Sequence, residues 1–422
     1  MTAVALPRFI RVRQKFPPSE PVDIERALQR EFERVRARLK PGTRIAVAVG
    51  SRGIANLDRI IRGVIHELRE SGAAPFIVPA MGSHGGATPE GQVRLLADYG
   101  VTEERMGAPI RAAMDTQCLG ATEDGVEVLW SAEAARADGV VVVNRVKPHT
   151  DFHSETLGSG LRKMLVVGLG KQAGAASFHA AAMRLGYERV LITAARVALA
   201  TAPVLCGVAV VENQFHDTVR LVAVLPDEIE SREPELFRDA HRLMPKLPFD
   251  DIDLLIVDRL GKNISGAGMD PNVTGRGIHG YSASLGGAPV KPLVRRLFVR
   301  DLTPESHGNA VGLGLADFTT TRLVRAMDEQ VTFMNALTAL SLQSVKVPMH
   351  FESDRECLVH ALESLAMADT RRARVARITD TLSLEHVQAS EEYSQEIRKR
   401  ADLEAVGELD ELRFDAAGNL AG

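Results

Sequence analysis

RIAVAVGSRGIANLDRIIRGVIHELRESGAAPFIVPA, residues 44 to 80, decides the fold. Arg44 to Val49 is a short apolar strand, Gly50-Ser51-Arg52-Gly53 turns the chain, and an amphipathic helix follows from about Leu57 to Glu70. Phe76 to Ala80 is a second strand. Strand, helix and strand in this order predict a parallel pair joined by a right-handed crossover. Upstream, a helix rich in Glu and Arg is expected over Ile24 to Leu39, stopped by Pro41-Gly42 after a polar lead. Downstream, Met81-Gly82-Ser83-His84-Gly85-Gly86 leaves the second strand, and Thr88-Pro89 reads as the cap and first residue of another helix.

The same logic extends along the chain. Short strands are expected within Ile110 to Trp130, then a helix from Ala132 to Ala137 and a strand from Gly139 to Val146. Helices over Phe178 to Leu185 and Glu188 to Leu199 precede strands at Gly207 to Val211 and Val219 to Val224. Glu235 to Leu243 reads as helix and Pro245 to Phe249 as a linker, after which Ile252 to Val257 opens a new unit with a glycine-rich loop. Leu293 to Val299 reads as strand, and Leu358 to Ala366 and Leu384 to Arg398 read as helices. The class is α/β, with parallel or mixed sheets in two domains, residues 1–249 and 250–422.

A chain of 422 residues, 45% hydrophobic and 25% charged, buries a sizeable core. Lys and Arg total 51 against 55 Asp and Glu, so the net charge of −4 carries no footprint for nucleic acid. Cys118, Cys206 and Cys357 lack CxxC spacing, which points to a reducing cytoplasm, and each reads as a small buried residue. Arg8, Arg11 and Arg13 stand where a signal peptide needs an apolar core. Val190 to Val211 is the nearest approach to a membrane span, but it divides into a helix and a strand.

Chemistry concentrates in NRVKPHTDFHSETLGSGLRKMLVVGLGKQAGAASFH, residues 144 to 179. His84 and His149 each follow an apolar strand, a placement that suits the ligand-binding carboxyl edge of a parallel sheet. An imidazole with a pKa of about 6.5 can take or give a proton there; hydrogen bonding to a loop backbone is an equal alternative. Lys163 is a phosphate-binding cation, a nucleophilic amine, or a side chain snorkelling from a strand end. Gly158-Ser159-Gly160 resembles a phosphate cradle but lacks the GKS or GKT ending of a P-loop. Ser177 would cap a helix that starts there, and the positive end of that helix would keep His179 neutral and open to a metal.

These residues together resemble the nickel-dependent lactate racemase family. The resemblance rests on Arg52 after the first strand, Gly82-Ser83-His84 with Thr88 and Glu90, Pro148-His149, Gly158-Ser159-Gly160 with Lys163, and His179. It implies a nickel-pincer nucleotide made by separate biosynthetic enzymes, tethered covalently through Lys163 and with nickel bound by His179. It further implies His84 and His149 as an acid/base pair, Arg52 on the substrate carboxylate, and two α/β domains with the site in the cleft between them. The activity implied is racemisation or epimerisation of a 2-hydroxy acid, in a protein that is either a monomer or a homo-oligomer.

The sequence also departs from that pattern. Asp151, His153 and Glu155 lie in a longer link between His149 and Lys163, and Val49-Gly50-Ser51 replaces an acidic residue before Arg52. The family's Tyr-Gln and Lys motif is missing from 261–280, where Lys262, Asn263, Asp270, Asn272 and Arg276 stand instead. A substrate other than lactate is expected, with Lys262 and Arg276 as candidate contacts. A lyase or hydrolase using an ordinary divalent metal near Asp151 and Glu155, and a non-catalytic protein that binds an anionic metabolite, are the alternatives.

Overall fold

The computed structural model describes residues 4–51, 53–150, 154–277 and 291–421. They form two compact units, one of residues 18–244 and one of residues 1–17 with 245–422. The chain enters with β1 (Phe9–Gln14), a strand of the second unit's sheet. The 18–244 unit then carries β2 (Arg44–Val49), β3 (Ala74–Pro79), β4 (Thr116–Ala121), β5 (Glu127–Ser131), β6 (Gly139–Arg145), β7 (Val204–Glu212) and β8 (Thr218–Val224).

Its main sheet has the order β3-β2-β6-β7-β8, with only β8 antiparallel to its neighbour, while β4 and β5 form a separate hairpin. The expected βαβ unit is present, with the helix Leu57–Glu70 between β2 and β3. Both faces of the sheet are covered. Val140 and Val142 belong to one apolar cluster and Val141 and Val143 to another, all four fully buried. Consecutive valines can both be buried because successive strand side chains point to opposite faces, and each contributes about 1.5–3 kcal/mol. The order also decides where ligands go. From β2 the chain moves outward to β3, then returns to place β6 on the other side of β2, so the crevice at their carboxyl ends is a topological switch point.

The second unit contains β9 (Asp251–Leu260), β10 (Leu293–Leu302), β11 (Phe318–Thr320), β12 (Met349–Phe351), β13 (Val375–Ile378), β14 (His386–Ser390) and β15 (Leu403–Asp410). The sheet order is β12-β11-β10-β9-β13-β14-β1-β15, parallel from β12 to β13 and antiparallel beyond. Two expectations fail here. The stretch 384–398 is not one helix but β14 followed by a short helix, Ser394–Lys399. The polar lead holds β1, which pairs on one side with β14 and on the other with β15. Cys206 and Cys357 are buried as expected, but Cys118 on β4 is exposed. Among the described residues no helix is long and apolar enough to cross a membrane.

Candidate functional site

The pocket sits at the switch point and is lined wholly within the 18–244 unit. Gly50 and Ser51 come from the end of β2, Ala80, Met81 and His84 from the end of β3, and Asn144, Arg145 and Lys147 from the end of β6. Ser159, Lys163, Met164, Val167 and Gly168 close the other wall. Counting its open mouth, it encloses about 540 Å³. The described lining holds the cations Arg145, Lys147 and Lys163 and no carboxylate, so it favours an anionic ligand.

His84 follows β3 at the start of a tight turn. Its Nδ1 lies 2.5 Å from Ser51 Oγ, and the Ser51 carbonyl accepts from Tyr99 Oη at 2.7 Å. The serine therefore occupies one ring nitrogen and orients the other. His149, after β6, is 3% exposed. Its Nε2 is 2.5 Å from Lys163 Nζ and 3.1 Å from Tyr187 Oη. A contact this short between two basic nitrogens needs a lone pair on one of them. That is the arrangement of an amine nucleophile with its base.

Lys163 is not at a strand end. It closes the short helical segment Leu161–Lys163 and is followed by a π-type turn, Met164–Gly168, a geometry often found at functional sites. The indole N–H of buried Trp130 donates to the Leu165 carbonyl at 2.6 Å and ties that turn to the hairpin. Gly158 and Gly160 serve close packing. A side chain at Gly158 would come within 2.3 Å of the Lys147 carbonyl oxygen, and one at Gly160 within 2.0 Å of Glu233 Oε1. Ser159 and Lys147 exchange both backbone hydrogen bonds at 2.8 Å, which removes the Ser159 N–H from any phosphate cradle.

His179 also sits differently from the sequence expectation. The helix is Lys171–Leu185, so the imidazole is mid-helix and the helix terminus exerts no special effect on it. It belongs to an aromatic chain: its ring is 5.5 Å from Phe178 and 6.4 Å from Tyr187, whose ring is 4.7 Å from His149.

Arg52, Asp151 and His153 lie outside the described residues; Glu155 is exposed. The flanks of position 52 are pinned by a pair that the sequence did not reveal. Arg145 Nη1 meets Glu212 Oε2 at 2.5 Å and the Gly53 carbonyl at 3.3 Å, while the Ala55 N–H donates to Glu212 Oε1 at 2.8 Å. Burial pushes the Glu212 carboxyl up, but the Arg145 guanidinium, with help from His216 and the Ala55 N–H, holds it below the usual range. Lys262 and Arg276 lie in the other unit. There Lys262 Nζ donates to the Gly266 carbonyl at 2.5 Å and Asn335 Oδ1 at 2.8 Å, and Arg276 is paired with Asp317 at 2.7 Å.

A nickel-pincer nucleotide tethered to lysine needs an accessible amine, a nearby imidazole for the metal and a cationic wall. The pocket lining holds Lys163, Arg145 and Lys147, while His179 is not part of that lining and is linked to His149 through the Tyr187 ring. A single imidazole suits a metal whose other ligands arrive with its carrier. Among the described residues no group of three or more His, Cys, Asp or Glu side chains is placed to hold a metal.

A profile of the lactate racemase N-terminal domain matches residues 9–188. Over those residues the chain is similar to that family. The matched stretch contains His84, His149, Lys163 and His179. The fold is shared with the lactate racemase apoprotein from Thermoanaerobacterium thermosaccharolyticum, at 15% identity and a TM-score of 0.51, over 88% of this chain and 93% of that one. No curated protein matches the chain.

Proposed function

We propose that this lactate-racemase-type chain is a racemase or epimerase of a 2-hydroxy acid other than lactate, acting with a nickel-pincer nucleotide carried on Lys163. The single observation that carries the reading is the pairing of Lys163 Nζ with His149 Nε2 at 2.5 Å beside a pocket that also receives His84. The cationic lining and the match to the lactate racemase N-terminal domain support it. Lys163 is the tether and His179 the protein ligand to nickel. When bound, the nucleotide supplies a hydride acceptor beside the substrate carbon.

The chain's own residues do the rest. Arg52 and the cations of the lining take the carboxylate. His84, with Nδ1 committed to Ser51, exchanges the hydroxyl proton of one enantiomer through Nε2, and His149 does so for the other. Placement to about 3–3.5 Å is what the surrounding fold must provide. Such an acid/base pair commonly contributes on the order of 10²–10⁴ in rate for each member.

The test is intact mass and metal content of protein produced together with the cofactor-making enzymes, beside a Lys163→Ala variant, followed by chiral chromatography with a panel of 2-hydroxy acids. An adduct and nickel that both vanish in the variant, with inversion of at least one acid, is the expected result. An unmodified mass without nickel would overturn the proposal and leave an ordinary-metal enzyme or an anion-binding protein in its place.

A further inference from the structure

Lys171 is the most unusual lysine among the described residues. It is 0% exposed, yet it sits at a left-handed φ of +54°, a conformation non-glycine residues adopt only against a steric penalty. Its ammonium donates to the Pro79 carbonyl at 2.6 Å and to Gln92 Oε1 at 3.3 Å. Among the described residues no carboxylate is bonded to it. Burial pushes its pKa down to about 8, with Glu133 acting in the opposite direction. Strain and desolvation are retained together only where the surroundings fix the residue, and such outliers gather around functional sites.

What Lys171 holds is the turn that carries His84. Pro79 ends β3, immediately before the pocket residues Ala80 and Met81. Gln92, also 0% exposed, accepts from Lys171 and spends its own amide donors on the carbonyls of Gly82 at 3.0 Å and His84 at 3.3 Å. From the opposite side the Gly82 N–H donates to the Gly168 carbonyl at 3.1 Å, and a Cβ on Gly82 would meet the Val167 carbonyl oxygen at 3.3 Å. The turn is thus gripped between a helix and the wall of the pocket.

We propose that Lys171 and Gln92 are positioning residues, a buried lysine–glutamine clamp that fixes the Pro79–His84 turn and so aims the His84 imidazole into the pocket. The inference rests on the reading of His84 as an acid/base group. Gln92→Glu separates the two halves of the clamp. The new carboxylate still accepts from Lys171, and more strongly, but it has no N–H and repels the carbonyls of Gly82 and His84.

The experiment follows the His84 ring by NMR in histidine-labelled protein, assigned with His84→Gln, alongside thermal unfolding and, in cofactor-loaded enzyme, steady-state kinetics. The expected result is a folded Gln92→Glu protein whose His84 resonances shift or broaden while those of distant histidines stay put, and whose kcat falls about 10- to 100-fold with KM within about twofold. If Gln92→Glu does not fold, Gln92→Asn, a neutral amide one methylene short of the turn, gives the same reading. Unchanged His84 resonances in a folded variant would overturn the clamp. Altered resonances in a protein whose wild type inverts no 2-hydroxy acid would uphold the clamp and remove the racemase reading instead.

Discussion

Replacing Lys171 with methionine keeps most of its length and removes its proton, so the variant should respond to pH differently from the parent. In the folded protein the lysine titrates at about 8, against about 10.4 for an unperturbed side chain. Between those values the folded state holds fewer protons than the unfolded chain, and stability therefore rises with pH. Below pH 8 both states are protonated and the whole desolvation cost is present. Above about 10.5 both are neutral and the cost is gone. With about 1.4 kcal/mol for each tenfold change in proton affinity, the wild type should gain at most about 3 kcal/mol over this window relative to Lys171→Met. The assay is urea unfolding of both proteins from pH 7 to 10, reported as the difference between them so that other titrating groups cancel. Parallel curves, or a wild type that loses stability relative to the variant as pH rises, would refute the assignment of a buried, uncompensated ammonium.

Ser51→Ala removes the Ser51 partner of His84 Nδ1 and should lower kcat by about 2- to 12-fold, the worth of one hydrogen bond of about 0.5–1.5 kcal/mol, with a displaced limb in the pH–rate profile as the check. Arg162→Leu strands the buried Glu233 carboxylate, 2.5 Å from its guanidinium, and should cost about 3–5 kcal/mol in denaturant unfolding, most of it recovered in the Arg162→Leu/Glu233→Leu double variant. Trp130→Phe leaves the Leu165 carbonyl without its donor and should destabilise by about 1–3 kcal/mol, read by thermal unfolding.

The fold of the 18–244 unit was legible where local pattern and tertiary role agree. β2, its helix and β3 lie where the apolar runs and the turn at Gly50 placed them, because a strand buried on both faces reads as an uninterrupted apolar run. The failures have equally local causes. β1 reads FIRVRQ, and its paired residues in β14 and β15 lie 373 to 401 positions further on, so nothing nearby marks it as a strand. Residues 384–398 mix Glu, Gln and Arg with a few apolar groups, enough to suggest a helix, but Val387 and Ala389 alternate inward from a strand.

The site shows the same division between what a strand end announces and what only packing decides. His84 and His149 were visible because each stands beside glycines or a proline after an apolar run, and Lys163 because it stands between the Gly158-Ser159-Gly160 turn and the apolar run Met164 to Val167. The helical setting of Lys163 was not, since a short apolar run such as Met164 to Val167 fits a strand or a helix equally well. His179 was placed at a helix start because Ser177 resembles a cap. The helix in fact begins at Lys171, and Gly174 is accommodated inside it because a Cβ there would meet the Leu129 carbonyl oxygen at 3.0 Å. Ser51, Gln92, Tyr187, Glu212 and Lys171 carried no signal at all. Each acts through hydrogen bonds that only the folded chain makes, to a partner between 33 and 157 residues away for Ser51, Glu212 and Tyr187. The positions of His84 and His149 are therefore set by strand order, which the sequence announces at each strand end, and that of Lys163 by the helical segment after Gly160. Their aim is encoded by buried polar contacts that exist only after the sheet has closed, which is why variants at Gln92 and Ser51 test the mechanism more sharply than variants at the histidines.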